Sequence, residues 1–256
     1  MTSTAITLTD ITKHYGEQAV LREVNLVVPV GQFIALVGAS GSGKTTLLKT
    51  INRLIALDGG EIAIFGQLAT ATPAHLLRRR IGYVFQEIGL FPHLTVAENI
   101  AITPKLLGWA ADRSQARVAN LLGLVGLPLE MGSRLPAELS GGQRQRVGVA
   151  RALAAEPQIL LMDEPFGALD PVTRETLGRD VRALHDQLSL TTVMVTHDMA
   201  EAILLADHIV VMKEGRIVAQ GTPSALAKEA DPEVADLLDG PRRQAQMLSA
   251  KLGVSA

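Results

Sequence analysis

The chain holds a glycine-rich segment, Gly38-Ala39-Ser40-Gly41-Ser42-Gly43-Lys44-Thr45, that fits the pattern G-x-x-x-x-G-K-[ST]. Each residue type in it has a chemical use. The glycines let the backbone turn tightly and aim its N–H groups into one concavity, where they can cradle phosphates. Lys44 is spaced to reach the β- and γ-phosphates, and the Thr45 hydroxyl is a hard oxygen donor for Mg²⁺. Thr46 opens a stretch of helical character, so the positive end of a helix dipole is expected to face the phosphates. Binding of a nucleoside triphosphate with Mg²⁺ follows.

Further along, Ile159-Leu-Leu-Met162 runs into Asp163-Glu164-Pro165. Adjacent carboxylates at the end of a buried strand are costly unless a metal or a proton compensates them. Asp163 suits a water-mediated Mg²⁺ contact, and Glu164 suits a general base for the attacking water. Pro165 is expected to hold Glu164 extended. Between these motifs lies Leu139-Ser140-Gly141-Gly142-Gln143. Ser140 and Gln143 satisfy the capping-box spacing, so the segment can simply cap a helix running from Gln143 to Ala154. A helix end opened by glycines is also an anion site. A helical segment carrying it cannot easily share one γ-phosphate with Gly38–Thr45 in the same subunit. The economical arrangement is a second copy of the chain, head to tail, each Ser140 segment closing the other's site. His197, after the apolar run Thr192–Val195, reads as a structural histidine when taken alone and as a γ-phosphate sensor beside the other motifs. Gln86, after Ile81–Phe85, can reach Mg²⁺ or the water. Tyr15 offers a flat apolar face to adenine.

The surrounding pattern shows what must position these residues. Phe33-Ile34-Ala35-Leu36-Val37 reads as a buried strand, and residues 5–30 alternate as a half-exposed antiparallel sheet does. Strands are expected at Glu61–Gly66, Ile81–Phe85, Gln158–Met162, Thr192–Val195, His208–Met212 and Arg216–Ala219, the last pair joined by a tight turn at Glu214-Gly215. Helices are expected at Pro171–Leu188 and Met199–Leu205. Residues 93–135 are mostly helical, with a capping box at Thr95–Glu98 and helix breaks at Gly123, Gly126 and Pro128. The fold class is therefore α/β: a P-loop NTPase core with a mainly parallel sheet, an antiparallel β subdomain and an inserted α-helical subdomain at about 93–155. One domain spans 1–240. Residues 241–256 form a short tail, and the charged stretch from Asp231 is helical or loosely docked.

Bulk composition narrows the class. Of 256 residues, 47% are hydrophobic, enough for a substantial core, and the net charge of −2 argues against nucleic acid as a partner. Arg78-Arg79-Arg80, the main basic cluster, reads as a solvated helix end, with a phosphate or partner contact as the alternative. There is no cysteine, hence no disulfide and no thiolate metal site. The start of the chain lacks a signal-peptide pattern, and no segment reaches the ~18 apolar residues of a membrane span. A cytosolic protein is expected, with any membrane role exercised through partners.

Taken in this order, the motifs resemble those of ABC transporter ATP-binding subunits over about residues 5–240. The resemblance implies Walker A at Gly38–Thr45, a Q-loop glutamine at Gln86, and the signature motif at Leu139–Gln143. It further implies Walker B with the catalytic glutamate at Leu160–Glu164, a D-loop at Ala168-Leu169-Asp170, a switch histidine at His197 and an A-loop aromatic at Tyr15. None is missing, so an active hydrolytic site is expected. Ile81-Gly-Tyr-Val-Phe-Gln86-Glu-Ile-Gly-Leu-Phe-Pro-His93 and Thr103-Pro-Lys-Leu-Leu-Gly-Trp109 are similar to the osmoprotectant importer ATPases, whose solutes are glycine betaine, choline and carnitine. This resemblance implies an ATP-sandwich homodimer, integral membrane permease subunits, and indirectly a periplasmic or lipid-anchored substrate-binding protein. It places the chain at the cytoplasmic face of the cell membrane. Leu90-Phe91-Pro92 has both a partner-docking and a core reading. Some members carry C-terminal regulatory CBS domains, for which a chain ending at Ala256 is expected to have no room. The alternatives are another solute, an amino acid or sulfonate, or a soluble ABC ATPase without transport.

Overall fold

The computed structural model describes residues 3–228 and, beyond them, Gly240, Arg243, Met247 and Lys251. The expected tail and the charged stretch from Asp231 otherwise lie outside the described residues. Strands β1 (Thr4–Tyr15) and β2 (Gln18–Pro29) form an antiparallel hairpin that turns at Gly16. β3 (Phe33–Val37) follows, buried at every position, and delivers the chain to the glycine loop and α1 (Lys44–Ile51). β4 (Gly59–Ile64) and β5 (Gln67–Leu68) complete a four-stranded antiparallel sheet in the order β2-β1-β4-β5. A short helix, α2 (Ala74–Arg78), leads into β6 (Ile81–Val84).

Between β6 and the next strand the chain is helical: α3 (Val96–Leu106), α4 (Ala111–Leu124) and α5 (Gly141–Leu153). Thr95 caps α3 in a full capping box with Glu98, as expected. The expected helix break at Gly123 is not observed. Gly123 is the penultimate residue of α4, which ends at Leu124 and is closed by Gly126 at φ 66° and by Leu127 N–H donating to the Leu122 carbonyl. A mid-helix glycine costs only about 1 kcal/mol, whereas a left-handed cap nearly demands one.

The remainder alternates: β7 (Ile159–Asp163), α6 (Pro171–Leu188), β8 (Thr191–Val195), α7 (Met199–Leu205), β9 (His208–Lys213), β10 (Arg216–Gly221) and α8 (Pro223–Leu226). These strands join β3 and β6 in a six-stranded sheet of order β10-β9-β3-β8-β7-β6, parallel except for the β9–β10 hairpin. At that hairpin Glu214 and Gly215 both have positive φ, as a type I′ turn requires.

Successive residues of the central strands enter different cores. Phe33, Ala35, Leu160, Met162 and Met194 pack with the helices, including Ile100, Leu121 and Leu122 of the inserted segment. Ile34, Leu36, Leu161 and Val193 pack with Leu47, Leu48 and the antiparallel sheet. The central sheet is thus covered on both faces, which is why its strands read as unbroken apolar runs. Burying each such Leu or Ile contributes roughly 1.5–3 kcal/mol.

Candidate active site

The parallel strands end side by side, and every chemically equipped loop leaves from that edge. β3 leads to the glycine loop, β7 to Asp163 and Glu164, and β8 to Thr196 and His197. Two backbone bonds hold the edge in register: Glu164 N–H donates to the Val195 carbonyl at 3.0 Å, and Thr196 N–H to the Leu36 carbonyl at 3.2 Å. Ligands of open parallel sheets bind at this carboxyl edge.

The glycine loop is shaped by what lies behind it. A Cβ at Gly38 would sit 2.1 Å from the Met212 carbonyl oxygen, and one at Gly43 would sit 2.7 Å from that of Val20. Gly38, Gly41 and Gly43 all have positive φ. Ser42 accepts the Gly215 N–H through its carbonyl at 3.1 Å, so the β9–β10 turn backs the loop. α1 starts at Gly43 with no side chain capping its first N–H groups, unlike α3, α5, α6 and α7. Those donors remain available to an anion.

Lys44 folds over its own loop. Its ammonium donates to the carbonyls of Gly38 and Ala39, both at 2.8 Å, and to Ser42 Oγ at 3.3 Å. Burial pushes its pKa down, while the carboxylates of Glu164 and Asp163 pull it up. An ammonium held by carbonyls and short of solvent is prepared to exchange them for phosphate oxygens.

Asp163 is almost fully buried and has its partners. Thr45 Oγ1 donates to Oδ1 at 2.7 Å, the Tyr83 hydroxyl donates to Oδ2 at 3.4 Å, and Lys49 Nζ lies 3.4 Å from Oδ2. Burial, and then the Asp163 charge, pushes the Tyr83 phenol well above its ordinary range and keeps it a donor. A buried carboxylate beside a threonine hydroxyl is a hard-oxygen donor set of the kind Mg²⁺ takes together with phosphates and water.

Glu164 gathers the other side chains. Its Oε2 accepts from Gln86 Nε2 at 3.3 Å and contacts His197 Nδ1 at 3.2 Å. Gln86 therefore stands with Glu164 rather than with Thr45 and Asp163. The expected extended backbone of Glu164 is not what the structure has: φ is 43°, in the left-handed region. A glutamate there costs about 1–3 kcal/mol. The turn is imposed by the Glu164–Val195 bond on one side and by Gly167 N–H donating to the Glu164 carbonyl at 3.3 Å on the other. It carries the carboxylate out of the strand toward Gln86 and His197.

Ser140 caps α5 with the full capping box: its Oγ accepts the Gln143 N–H at 3.2 Å, and Gln143 Oε1 accepts the Ser140 N–H at 2.9 Å. None of these bonds reaches the glycine loop. Gly142 also has a packing reason to be glycine, since a Cβ would meet Thr173 Cγ2 of α6 at 2.7 Å. Tyr15, half-exposed at the end of β1, lies beneath Lys13, whose Nζ is 5.5 Å from the ring centre.

Sequence reasoning missed Tyr83 and Lys49. A signal for Lys49 was present, because it follows Thr45 by one helical turn and so shares its face. Tyr83 reaches Asp163 only through the pairing of β6 with β7, which no local pattern reveals.

Comparison with known proteins gives this geometry its family. Residues 21–167 match the family model described as ABC transporter. The chain belongs to the ABC transporter family. It is an ATP-binding cassette and an ATP hydrolase. It is 51% identical over 218 residues to the glycine betaine uptake system ATP-binding protein YehX of Escherichia coli K12, covering 85% of this chain and 71% of that protein. It is 48% identical over 245 residues to the choline transport ATP-binding protein OpuBA of Bacillus subtilis 168, covering 95% of this chain and 64% of that protein. The chain thus spans about two thirds of the length of these relatives. A solved dimer of the ATP-binding cassette MJ0796, in a post-hydrolysis state with ADP and Pi, superposes with a TM-score of 0.77 at 33% identity. That match covers 85% of this cassette and 98% of that chain. No helix among the described residues is long and apolar enough to cross a membrane.

Proposed function

We propose that the cassette is the energy-coupling subunit of an importer for quaternary-amine osmoprotectants of the glycine betaine class. The reading of its chemistry rests chiefly on the meeting of Gln86 and His197 at one oxygen of Glu164, beside the Lys44 loop and the Thr45–Asp163 pair. The reading of its solute rests on its likeness to the betaine and choline uptake proteins.

The roles follow from position. Gly38 to Thr46 wrap the phosphates with backbone N–H groups, and Lys44 transfers its hydrogen bonds from loop carbonyls to phosphate oxygens. Thr45 and Asp163 would hold Mg²⁺, and Gln86, which stands at Glu164 in this structure, would complete the set by turning toward the ion. Bound there, the ion neutralises charge on the β- and γ-phosphates. Glu164 orients the attacking water and accepts its proton, while His197 fixes the carboxylate and faces the γ-phosphate. Tyr15 stacks on adenine. A second copy supplies Ser140, Gly141, Gly142 and Gln143 across the interface, so ATP favours the closed dimer because only there is it held from both sides.

Membrane permease subunits dock at a cavity of about 480 Å³ beside the Gln86 segment, lined by Arg78, Arg79, Phe85, Phe91 and Arg151 among others. Arg151 donates to the carbonyls of Gly89 at 2.7 Å and Ile88 at 2.6 Å and so braces that segment. Phe91 is 45% exposed while Leu90 packs against the core, which favours docking for the first and a structural role for the second. A substrate-binding protein on the opposite membrane face delivers the solute, and the cassette remains peripheral on the cytoplasmic side.

The test is ATP hydrolysis by the reconstituted complex with its membrane subunits and binding protein, against betaine, choline, carnitine, amino acids, sulfonates and sulfate. Stimulation confined to quaternary amines is expected. Stimulation by another class with quaternary amines inert removes the solute assignment and leaves the hydrolytic one.

A further inference from the structure

His197 is exposed, yet the residues on either side of it are tied down. Thr196 Oγ1 donates to Glu201 Oε2 at 2.6 Å and accepts the Asp198 N–H at 3.0 Å. Asp198 Oδ1 accepts the Ala200 N–H at 2.8 Å and caps α7. The remaining carboxylate oxygens of Asp198 and Glu201 face one cation. Arg174, on the first turns of α6, places Nη1 3.4 Å from Asp198 Oδ2 and Nε 3.7 Å from Glu201 Oε1, and its Nη2 donates to the Leu169 carbonyl at 3.1 Å. Leu169 belongs to the turn that begins at Glu164, where Leu169 N–H donates to the Phe166 carbonyl at 3.1 Å. One guanidinium therefore touches both the turn that follows Glu164 and the residues that flank His197.

From this geometry we infer that Arg174 is a positioning residue for hydrolysis, fixing His197 against Glu164 by clamping Asp198 and Glu201 to the Leu169 turn. This rests on the role given to His197 above. The fork of an arginine is needed: a lysine can balance the charge but cannot span a carbonyl and two carboxylates at once. Without the cation, Asp198 and Glu201 repel. Burial already pushes the Glu201 carboxyl up, and the Asp198 charge pushes it the same way. Arg174 Nε is buried without a hydrogen bond, so the clamp still has a donor to commit when the Leu169 turn or α7 shifts.

The inference is tested in the full chain assembled with its membrane subunits, by kcat and KM for ATP of Arg174→Met, Arg174→Lys, His197→Ala and the Arg174→Met/His197→Ala pair. Arg174→Met is expected to lower kcat about tenfold with KM for ATP within about twofold, and Arg174→Lys to recover part of the loss. In the His197→Ala background, Arg174→Met is expected to add almost nothing, because both act through one group. Glu201→Gln keeps a partner for Thr196 and loses the ion pair. It carries the same test if Arg174→Met lowers the melting temperature enough to confound it. Full multiplication of the two losses, a KM effect at unchanged kcat, or no effect of Arg174→Met overturns the inference. If His197→Ala alone turns over normally, the role of His197 falls first and this inference falls with it.

Discussion

The Lys44 loop with its acids and the Ser140 segment are built in opposite ways. The first draws on residues from Gly38 to His197 and is held by tertiary contacts: Thr45 to Asp163, Gln86 and His197 to Glu164, Lys44 across its own loop. Four strands, β3, β8, β7 and β6, must end in register before it exists. The second is local. Ser140 and Gln143 satisfy each other within one helical turn, and Gly142 fits against Thr173. The first region is a set of polar groups already turned toward one another. The second is a helix end whose cap residues satisfy each other. A site assembled inside one chain and a cap that needs nothing from its own chain are what a composite site between two copies requires.

The sharpest way to break this contrast is to neutralise the centre of the first region. Glu164→Gln keeps the size of the side chain and can still bond to Gln86 and His197, but it no longer accepts a proton. Turnover is expected to fall by about 10²–10⁴, with ATP affinity retained. Single-turnover hydrolysis and nucleotide binding measured on the same preparation decide it. Hydrolysis near the wild-type rate would remove Glu164 as the base and leave the convergence of Gln86 and His197 without a chemical purpose.

A subtler comparison uses two capping boxes of the helical segment. Thr95 with Glu98 and Ser140 with Gln143 have the same hydrogen-bond plan at the starts of α3 and α5. Thr95→Ala and Ser140→Ala should each cost about 1 kcal/mol of stability, read as a similar loss in thermal melts. Only Ser140→Ala is expected to weaken ATP-driven dimerisation of the Glu164→Gln protein, measured by light scattering. Equal loss of dimer in both variants would reduce Ser140 to a helix cap.

The two regions also differ in how far they could be read before folding. The ends of α6 and α7 were legible because Asp170 with Pro171, and Asp198, are local start signals that the structure uses as caps. Phe33–Val37 and the apolar run Ile159–Met162 within the expected strand Gln158–Met162 were legible because both faces are buried. The glycine loop and the Ser140 cap were legible because their geometry is written in adjacent residues. What escaped was the placement of side chains and backbone set by neighbouring strands and helices. The rule for a residue before proline places Glu164 in an extended conformation, but bonds to Val195 and Gly167 force it to positive φ. Arg174 lies one turn from the Asp170 cap and looks like a solvated helix residue until α7 packs beside it. Nothing in the sequence marks Tyr83 as a partner of Asp163.

Tyr83 offers the smallest test of the contrast. Its hydroxyl is buried and points at the Asp163 oxygen that Thr45 does not hold, but the bond is long at 3.4 Å and Lys49 lies at the same distance from that oxygen. Tyr83→Phe removes one weak donor and leaves the ring packed, so Asp163 keeps Thr45 and Lys49. A cost below about 1 kcal/mol is expected, read as at most about a fivefold rise in the Mg²⁺ concentration for half-maximal hydrolysis. A much larger rise would mean that the carboxylate is aimed from β6, and that this centre is less secure without its neighbouring strand than the Thr45 bond suggests. A negligible change would assign the placement of Asp163 to α1 alone, through Thr45 and Lys49 on one helical face. The loop, the cation and the acid would then form a single unit that the other strands merely support.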